Sequence, residues 1–419
     1  MNLIQEQLTH NCHLMLFDLS IYGHHPSYIQ YLLEYWEQHQ MDGKLSILVS
    51  PKFLTVHCDV VYYAESNLAH NTKFIPITPN EEVALLPRDT SLKRNWRNFQ
   101  EWFLFCKYAK ALQADHALLM YLDTYQLPLA LGFSPPCAIS GIYFRPTFHY
   151  PQLTSTQPSP REQIQQIWER LLLDRVLHNC KFRSLLSLDS FVIKYIDNVP
   201  KWTSVHHLPD PVRLDSPPND LDVQLSQLRQ QFGIDPNRQV FLMFGALTAR
   251  KGIYKVLESI SLLPEDVIQN ICLFLVGEAD DNNREQINHQ VDSLCKRYSI
   301  QIIRHYDFVP DAEVPLYFHL SDVVLATYQR HVGMSGISIW AASTGKPVIS
   351  SDYGLMGATV RQHQLGITLN ATDPKQIAKG VQAFVNKQCG TLCSEKAKSF
   401  AKNYSHDHFS KLIFQCLSN

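Results

Sequence analysis

A two-domain α/β protein, each domain a parallel sheet covered by helices, is the fold class this sequence predicts. Three observations predict it. The chain has 419 residues, more than a single core of about 200 residues serves. Short apolar runs alternate with helix-period segments along its length, the pattern of parallel strands joined by crossover helices. Between the halves, Pro209, Pro211, Pro217 and Pro218 interrupt every periodicity, which marks an extended linker.

In the first half, apolar runs of strand length fall at 13–18, 45–50, 59–63, 73–77, 117–122, 137–143 and 184–188, with helical stretches at 27–39, 92–113 and 162–178. In the second half, strands are predicted at 239–245, 271–277, 301–306, 322–327 and 347–350, and helices at 254–263, 283–298, 313–319, 335–344 and 374–386. Each half therefore reads as a Rossmann-like domain, 1–207 and 208–404, with a last helix at 405–419 expected to cross back onto the first. Ligands of such sheets bind beyond the carboxyl ends of the strands, so both halves are expected to point those ends at a shared cleft.

Composition removes several function classes. Hydrophobic residues make up 45% and charged residues 18%, a balance for well-buried domains rather than a disordered chain. A net charge of −2 provides no global basic field, so nucleic acid is not an expected partner. The 10 cysteines include no Cys-x-x-Cys; the tightest spacing is Cys389 to Cys393. Reduced thiols are expected, with neither a disulfide framework nor a zinc site. Residues 1–10 are polar and include Glu6, which does not read as a signal peptide. No run of about 18 apolar residues appears. A cytoplasmic protein is expected, with peripheral contact at the inner face of a membrane as a further reading.

The strongest motif is Gly245-Ala-Leu-Thr-Ala-Arg250-Lys251-Gly252, at the end of a buried strand and the opening of a helix. Glycine allows close backbone approach to phosphates, the helix start offers free N–H groups, and Lys251 and Arg250 supply positive charge. It is not a Walker loop, because the lysine precedes its glycine and no Ser or Thr follows. Taken alone, a solvated Arg-Lys pair on a strand-to-helix turn explains it equally well. A second glycine turn, His331-Val-Gly333-Met334-Ser335-Gly336, precedes another helix.

Further segments follow in order: Leu275-Val-Gly-Glu278-Ala-Asp, Phe308-Val309-Pro310-Asp-x-Glu313, Ser321-Asp-Val-Val-Leu-Ala-Thr, Gly345-Lys-Pro-Val-Ile-Ser-Ser-Asp352 and Gly354-x-x-Gly357. Together with the Gly245–Gly252 turn, this set resembles the retaining GT-B glycosyltransferases of the group-1 type, well over 239–383 and only loosely before that. The resemblance implies two Rossmann-like domains facing a cleft, and a nucleoside-diphosphate sugar as co-substrate with no further cofactor. It also implies a donor site in the second domain. There Lys251 is the lysine of the diphosphate grip, with Gly245 and Arg250 beside it. Phe308 and Val309 fall where the nucleobase packs. The amides of Gly333, Met334, Ser335 and Gly336 would reach phosphate or sugar hydroxyls.

Two departures stand out. The family's arginine beside the first glycine is Ala246, and its Glu-x7-Glu pair falls on Val332 and Trp340. No glutamate occurs between Glu313 and Glu395. Valine cannot accept a hydrogen bond and an indole N–H only donates. Each lost charged hydrogen bond costs about 1.5–3 kcal/mol. Either other groups substitute at the sugar end, with His331, Ser335 and Asp352 nearest, or donor turnover is gone.

In the first half, the opening strand runs into Tyr22-Gly23-His24-His25-Pro26, where relatives place a glycine loop near donor phosphates and acceptor. His24 or His25 can donate to phosphate or move a proton near neutral pH; a helix start explains the same letters. Asp123 ends a later strand and is the candidate for acceptor orientation or base assistance, or an N-cap. No Asp-x-Asp stands at a strand end, so no catalytic metal is expected. Over 92–113, Lys93, Arg94, Arg97, Lys107 and Lys110 interleave with Trp96, Phe99, Trp102, Phe103 and Phe105. A core-facing aromatic stripe with snorkelling cations is the simpler explanation; a helix lying on an anionic membrane is the alternative. These readings lead to a metal-independent sugar transfer to a glycan, lipid-linked or small-molecule acceptor. A catalytically silent binding protein is the alternative, and an epimerase or phosphorylase a further one.

Overall fold

The structure is a computed structural model in which residues 12–154, 158–214, 218–388 and 394–418 are described. The N-terminal stretch 1–10, the Cys389 and Cys393 pair and linker residues 215–217 lie outside that set. Two parallel sheets organise the chain. The first has seven strands, β1 (His13–Phe17), β2 (Lys44–Val49), β3 (Thr72–Pro76), β4 (His116–Leu119), β5 (Ala138–Tyr143), β6 (Phe182–Ser187) and β7 (Ser204–His207). Their order is β3-β2-β1-β4-β5-β6-β7. The second has β8 (Gln239–Phe244), β9 (Ile271–Val276), β10 (Gln301–His305), β11 (Val323–Ala326), β12 (Val348–Ser351) and β13 (Gly366–Leu369). Their order is β10-β9-β8-β11-β12-β13.

Strand alternation builds a core on each face of each sheet, because successive side chains point to opposite faces. In β1, Leu14 and Leu16 join one core and Met15 and Phe17 the other. In β8, Phe241 and Met243 face one core and Val240 and Leu242 the other. On the first sheet, the helix His25–Gln38 and the last helix, His406–Ser418, cover one face through Ile29, Leu33, Phe409 and Ile413. The helices Ser91–Ala111 and Pro160–Leu177 cover the other through Trp102, Phe105, Leu173 and Val176.

The chain divides into two compact units. One comprises Met1–His149, Pro158–Pro211 and His406–Asn419; the other comprises Tyr150–Gln157 and Val212–Ser405. Segment Tyr150–Thr154 thus belongs with the second sheet although it lies within the first half of the chain. Asp210 accepts the Tyr28 hydroxyl in the first unit, and Val212 N donates to Tyr404 O in the second.

Among the local readings that change, three concern strands. The run Asp59-Val-Val-Tyr-Tyr has the β-branched content of a strand but lies within the helix Cys58–Asn67, which buries Val60 and Ala64 one turn apart. Tertiary packing overrides the weak local preference. Strands β7 and β13 escape notice in the sequence because each is four residues long and largely half-buried, which leaves no clear alternation.

Candidate functional site

In an open parallel sheet, two neighbouring strands whose connections leave in opposite directions open a crevice at their carboxyl ends. That switch point lies between β1 and β4 in the first sheet and between β8 and β11 in the second. Both predicted clusters stand there.

In the second unit, β8 ends at Phe244, Gly245 turns with φ +87°, and the turn Ala249–Lys251 leads through Gly252 (φ +81°) into the helix Ile253–Ile260. Gly252 is required on two counts: the left-handed backbone, and a Cβ that would strike Thr327 O. The end of β11 stitches this turn in place. Thr327 Oγ1 donates to Lys251 O at 3.1 Å and Gln329 N to Arg250 O at 2.8 Å.

Lys251 is only 6% exposed. Its ammonium donates to the Phe244 carbonyl and lies 5.3 Å from the centre of the Tyr328 ring. No carboxylate pairs with it among the described residues. Burial pushes its pKa below the ordinary lysine value, Tyr328 opposes that shift, and Arg250 adds to it. A buried cation without a counter-charge is costly, and an anion entering the crevice would relieve that cost. Arg250 stands at the same distance from Tyr328, 5.3 Å, and donates to His331 Nδ1 at 3.3 Å. The hydroxyl of Tyr328 receives Ser335 Oγ at 3.0 Å. Tyr328 therefore gathers Arg250, Lys251, His331 and Ser335 around one ring.

The glycine turn is also engaged. Gly333, at φ +103°, donates its N–H to the Tyr150 hydroxyl at 2.9 Å. The Tyr150 ring fills the space a Cβ would need at Gly354. Ser335 precedes the helix Gly336–Ser343, and Met334 is half-buried in a core cluster. Trp340 packs with Phe318, ring centres 6.1 Å apart, against two core clusters. Phe308 is exposed and Val309 is buried in the core.

In the first unit, Asp18, His25 and Tyr22 line a cavity of about 600 Å³ together with Arg97, Glu101 and Tyr121. Nδ1 of His25 lies 2.6 Å from Oδ2 of Asp18. A carboxylate accepts, so Nδ1 carries the proton and Nε2 is the basic nitrogen. The His25 ring stacks on Phe144, centres 5.9 Å apart. His24 instead is exposed and stacks on Tyr28. Gly23 takes φ +74° ahead of them.

Asp123 is not among the residues lining this cavity. Its oxygens accept the backbone N–H groups of Phe144 at 2.9 Å and Arg145 at 3.0 Å. Burial raises its pKa to about 6, and those two amides pull the other way. Buried Glu101 forms the cavity's charged wall. Arg88 Nη2 reaches both its oxygens at 2.9 Å, and Arg97 Nε reaches Oε1 at 2.7 Å. Among the described residues no group of three or more His, Cys, Asp or Glu side chains is placed to hold a metal ion.

Tyr328 and Tyr150 are the residues that sequence reasoning missed. Tyr328 follows Thr327 directly at the end of a predicted strand, a usable signal. Tyr150 meets Gly333 across 183 positions, and nothing local announces it.

Residues 226–407 match the family "Glycosyl transferases group 1". YtcC of Bacillus subtilis (strain 168), named as a glycosyltransferase, is 22% identical over 190 residues, 44% of this chain and 46% of that protein. The D-inositol 3-phosphate glycosyltransferase of Rhodococcus jostii (strain RHA1) is 24% identical over 216 residues, 48% of this chain and 46% of that one. The chain spans about half the length of the curated relatives it matches. In three dimensions it is similar over 97% of its length to a glycosyltransferase from Rickettsia africae ESF-5, covering 97% of it, with TM-score 0.65 and 13% identity. It is also similar to Anabaena HepE solved with UDP, covering 97% of this chain and 99% of that one, with TM-score 0.63 and 14% identity. The shared fold is GT-B.

Proposed function

Residues 226–407 match the group-1 glycosyl transferases, and from that match we propose that this chain moves a sugar from a nucleoside-diphosphate donor to an acceptor hydroxyl with retained anomeric configuration. The observation that carries the reading is Lys251, a buried cation at the switch point of the second sheet with no carboxylate partner among the described residues. A diphosphate supplies the missing charge. Arg250 adds a planar fork for phosphate oxygens, and the start of the helix Gly336–Ser343 offers N–H groups. These groups would stabilise the leaving diphosphate as negative charge grows on it.

The acceptor would occupy the cavity beside His25. Its wall alternates donors (Arg88, Arg97) with acceptors (Glu101, Asp18), a lining suited to a hydroxyl-rich molecule. His25, oriented by Asp18, is the group available to handle the acceptor's proton. Asp123 supports this wall by tying the end of β4 to the loop after β5.

The Val332 and Trp340 substitutions favour one other reading, a GT-B protein that binds a nucleotide ligand without turnover. Titration calorimetry with nucleoside diphosphates separates the readings, beginning with the uridine diphosphate bound by HepE. The expected result is binding that Lys251→Ala weakens roughly 10- to 100-fold, as loss of a charged hydrogen bond predicts. Binding without hydrolysis or transfer of any nucleotide sugar would favour the silent protein. No binding, with Lys251→Ala indistinguishable from wild type, would sink the donor site altogether.

A further inference from the structure

The helices Ser91–Ala111 and Pro160–Leu177 lie on the same face of the first sheet, where Trp102, Phe105, Leu173 and Val176 share one core. The short helix Gln126–Ala130 packs against both. Their inner sides are satisfied. On the outer side of the first helix, Leu92, Trp96, Phe99 and Phe103 form a stripe at helical spacing, and Trp96 is 66% exposed. Phe133 extends it, its ring centre 5.7 Å from that of Phe99 and 5.8 Å from that of Phe103. On the outer side of the second helix, Ile164, Ile167, Trp168 and Leu171 repeat the i, i+3, i+4, i+7 pattern of a buried face. All four are exposed, Trp168 by 61%. Each helix is thus apolar on both sides, and a soluble monomer rarely exposes so many large apolar side chains in one region.

Charge indicates what covers them. The helix Ser91–Ala111 carries Lys93, Arg94, Arg97, Lys107 and Lys110 against a single acid, Glu101, which is buried under Arg88 and Arg97. Lys93 and Lys107 are balanced by Asp89 and Glu81. Among the described residues no ion pair holds Lys110, which continues the stripe seven positions beyond Phe103; Arg94 lies on the opposite side of the helix and donates to Ser91 Oγ at 3.2 Å. Exposed Trp, Phe and Leu in line with an uncompensated Lys110 and flanked by Lys107 are the chemistry of a helix lying in the plane of an anionic bilayer surface. No described helix is long and apolar enough to cross a membrane, so contact would be in that plane.

We propose that this face docks on an anionic lipid surface. The helix that carries the outer stripe contributes Arg97 and Glu101 to the first-unit cavity from its other side, so docking would hold that cavity about one helix diameter, roughly 10 Å, from the lipid surface.

Flotation of the full chain with vesicles tests this, using phosphatidylcholine alone and phosphatidylcholine mixed with phosphatidylglycerol. The wild type is expected to float with the mixed vesicles, and added salt should weaken that binding. Trp96→Ser with Phe103→Ser, and separately Trp168→Ser, should each lower partitioning by about tenfold or more, since binding scales with buried apolar area plus electrostatic attraction. Lys107→Glu with Lys110→Glu leaves the apolar surface intact and should lower it similarly, which covers the case of an aromatic variant that fails to fold. Wild type remaining unbound to both vesicles overturns the proposal, as does binding that all variants share. A lipid-free dimer dispersed by the aromatic substitutions would assign the face to a second copy and overturn it too.

Discussion

The turn leaving β1 and the turn leaving β8 occupy equivalent places, each at the switch point of its sheet, yet their chemistry is opposite. The first sets an acid against an imidazole, Asp18 on His25 at 2.6 Å, beside a wall of further carboxylates and guanidiniums. The second buries Lys251 beside Tyr328 and Arg250, with no acid to balance them. One turn pairs a carboxylate with an imidazole; the other holds a cation with no carboxylate partner among the described residues. The two turns share a backbone plan and differ in a few side chains.

Removing the proposed proton-handling group should give the largest effect. His25→Ala is expected to lower turnover about 10²- to 10⁴-fold, the usual range for a general acid–base group, while nucleoside-diphosphate affinity measured by calorimetry stays at the wild-type value. Loss of nucleotide binding instead would erase the contrast between the turns.

A middle-sized effect tests the region where family glutamates are absent. Trp340→Glu is expected to cost about 3 kcal/mol in urea unfolding, because it removes a packed ring and brings a carboxylate against Phe318. It should not tighten nucleotide binding. A stable variant with improved affinity would mean that the indole faces the ligand rather than the core.

The smallest effect concerns Asp123. Burial raises its pKa from 3.8 to about 6, against the pull of the Phe144 and Arg145 amides. The folded state therefore holds this proton more tightly than the unfolded one. The resulting stabilisation is full below the unfolded value and is lost as pH rises through the folded value. Relative to Asp123→Asn, wild type should lose a small amount of thermal stability between about pH 4 and about pH 6. A melting-temperature difference that is flat with pH would mean that Asp123 does not titrate in this window.

The central strands of each sheet were legible because they are buried on both faces and read as continuous apolar runs. The placing of Lys251 and its glycines on one strand-to-helix turn was legible because that turn is local in sequence. The choice between His24 and His25 was not, since it depends on a carboxylate seven positions earlier and on the stacking of Phe144, more than a hundred positions later. Tyr328 lay one residue beyond a recognised strand, but its role emerges only when Arg250, His331 and Ser335 converge on it. The two outer stripes were partly legible. The 92–113 segment shows its mixture of cations and aromatics, but periodicity alone cannot tell which face of a two-sided apolar helix is outermost.

The hydroxyl of Tyr150 on Gly333 bears on how this protein could be recombined. The chain visits the second unit briefly at Tyr150–Gln157, returns to the first at Pro158, and commits to the second only at Val212. A gene cut at the proline-rich joint would encode a second unit without the side chain that bonds Gly333 and fills the space beside Gly354. Chimaeras that exchange the second unit between such proteins would have to graft two separate stretches of sequence. Ancestral shuffling at the linker alone would have produced a second unit missing one of its own parts.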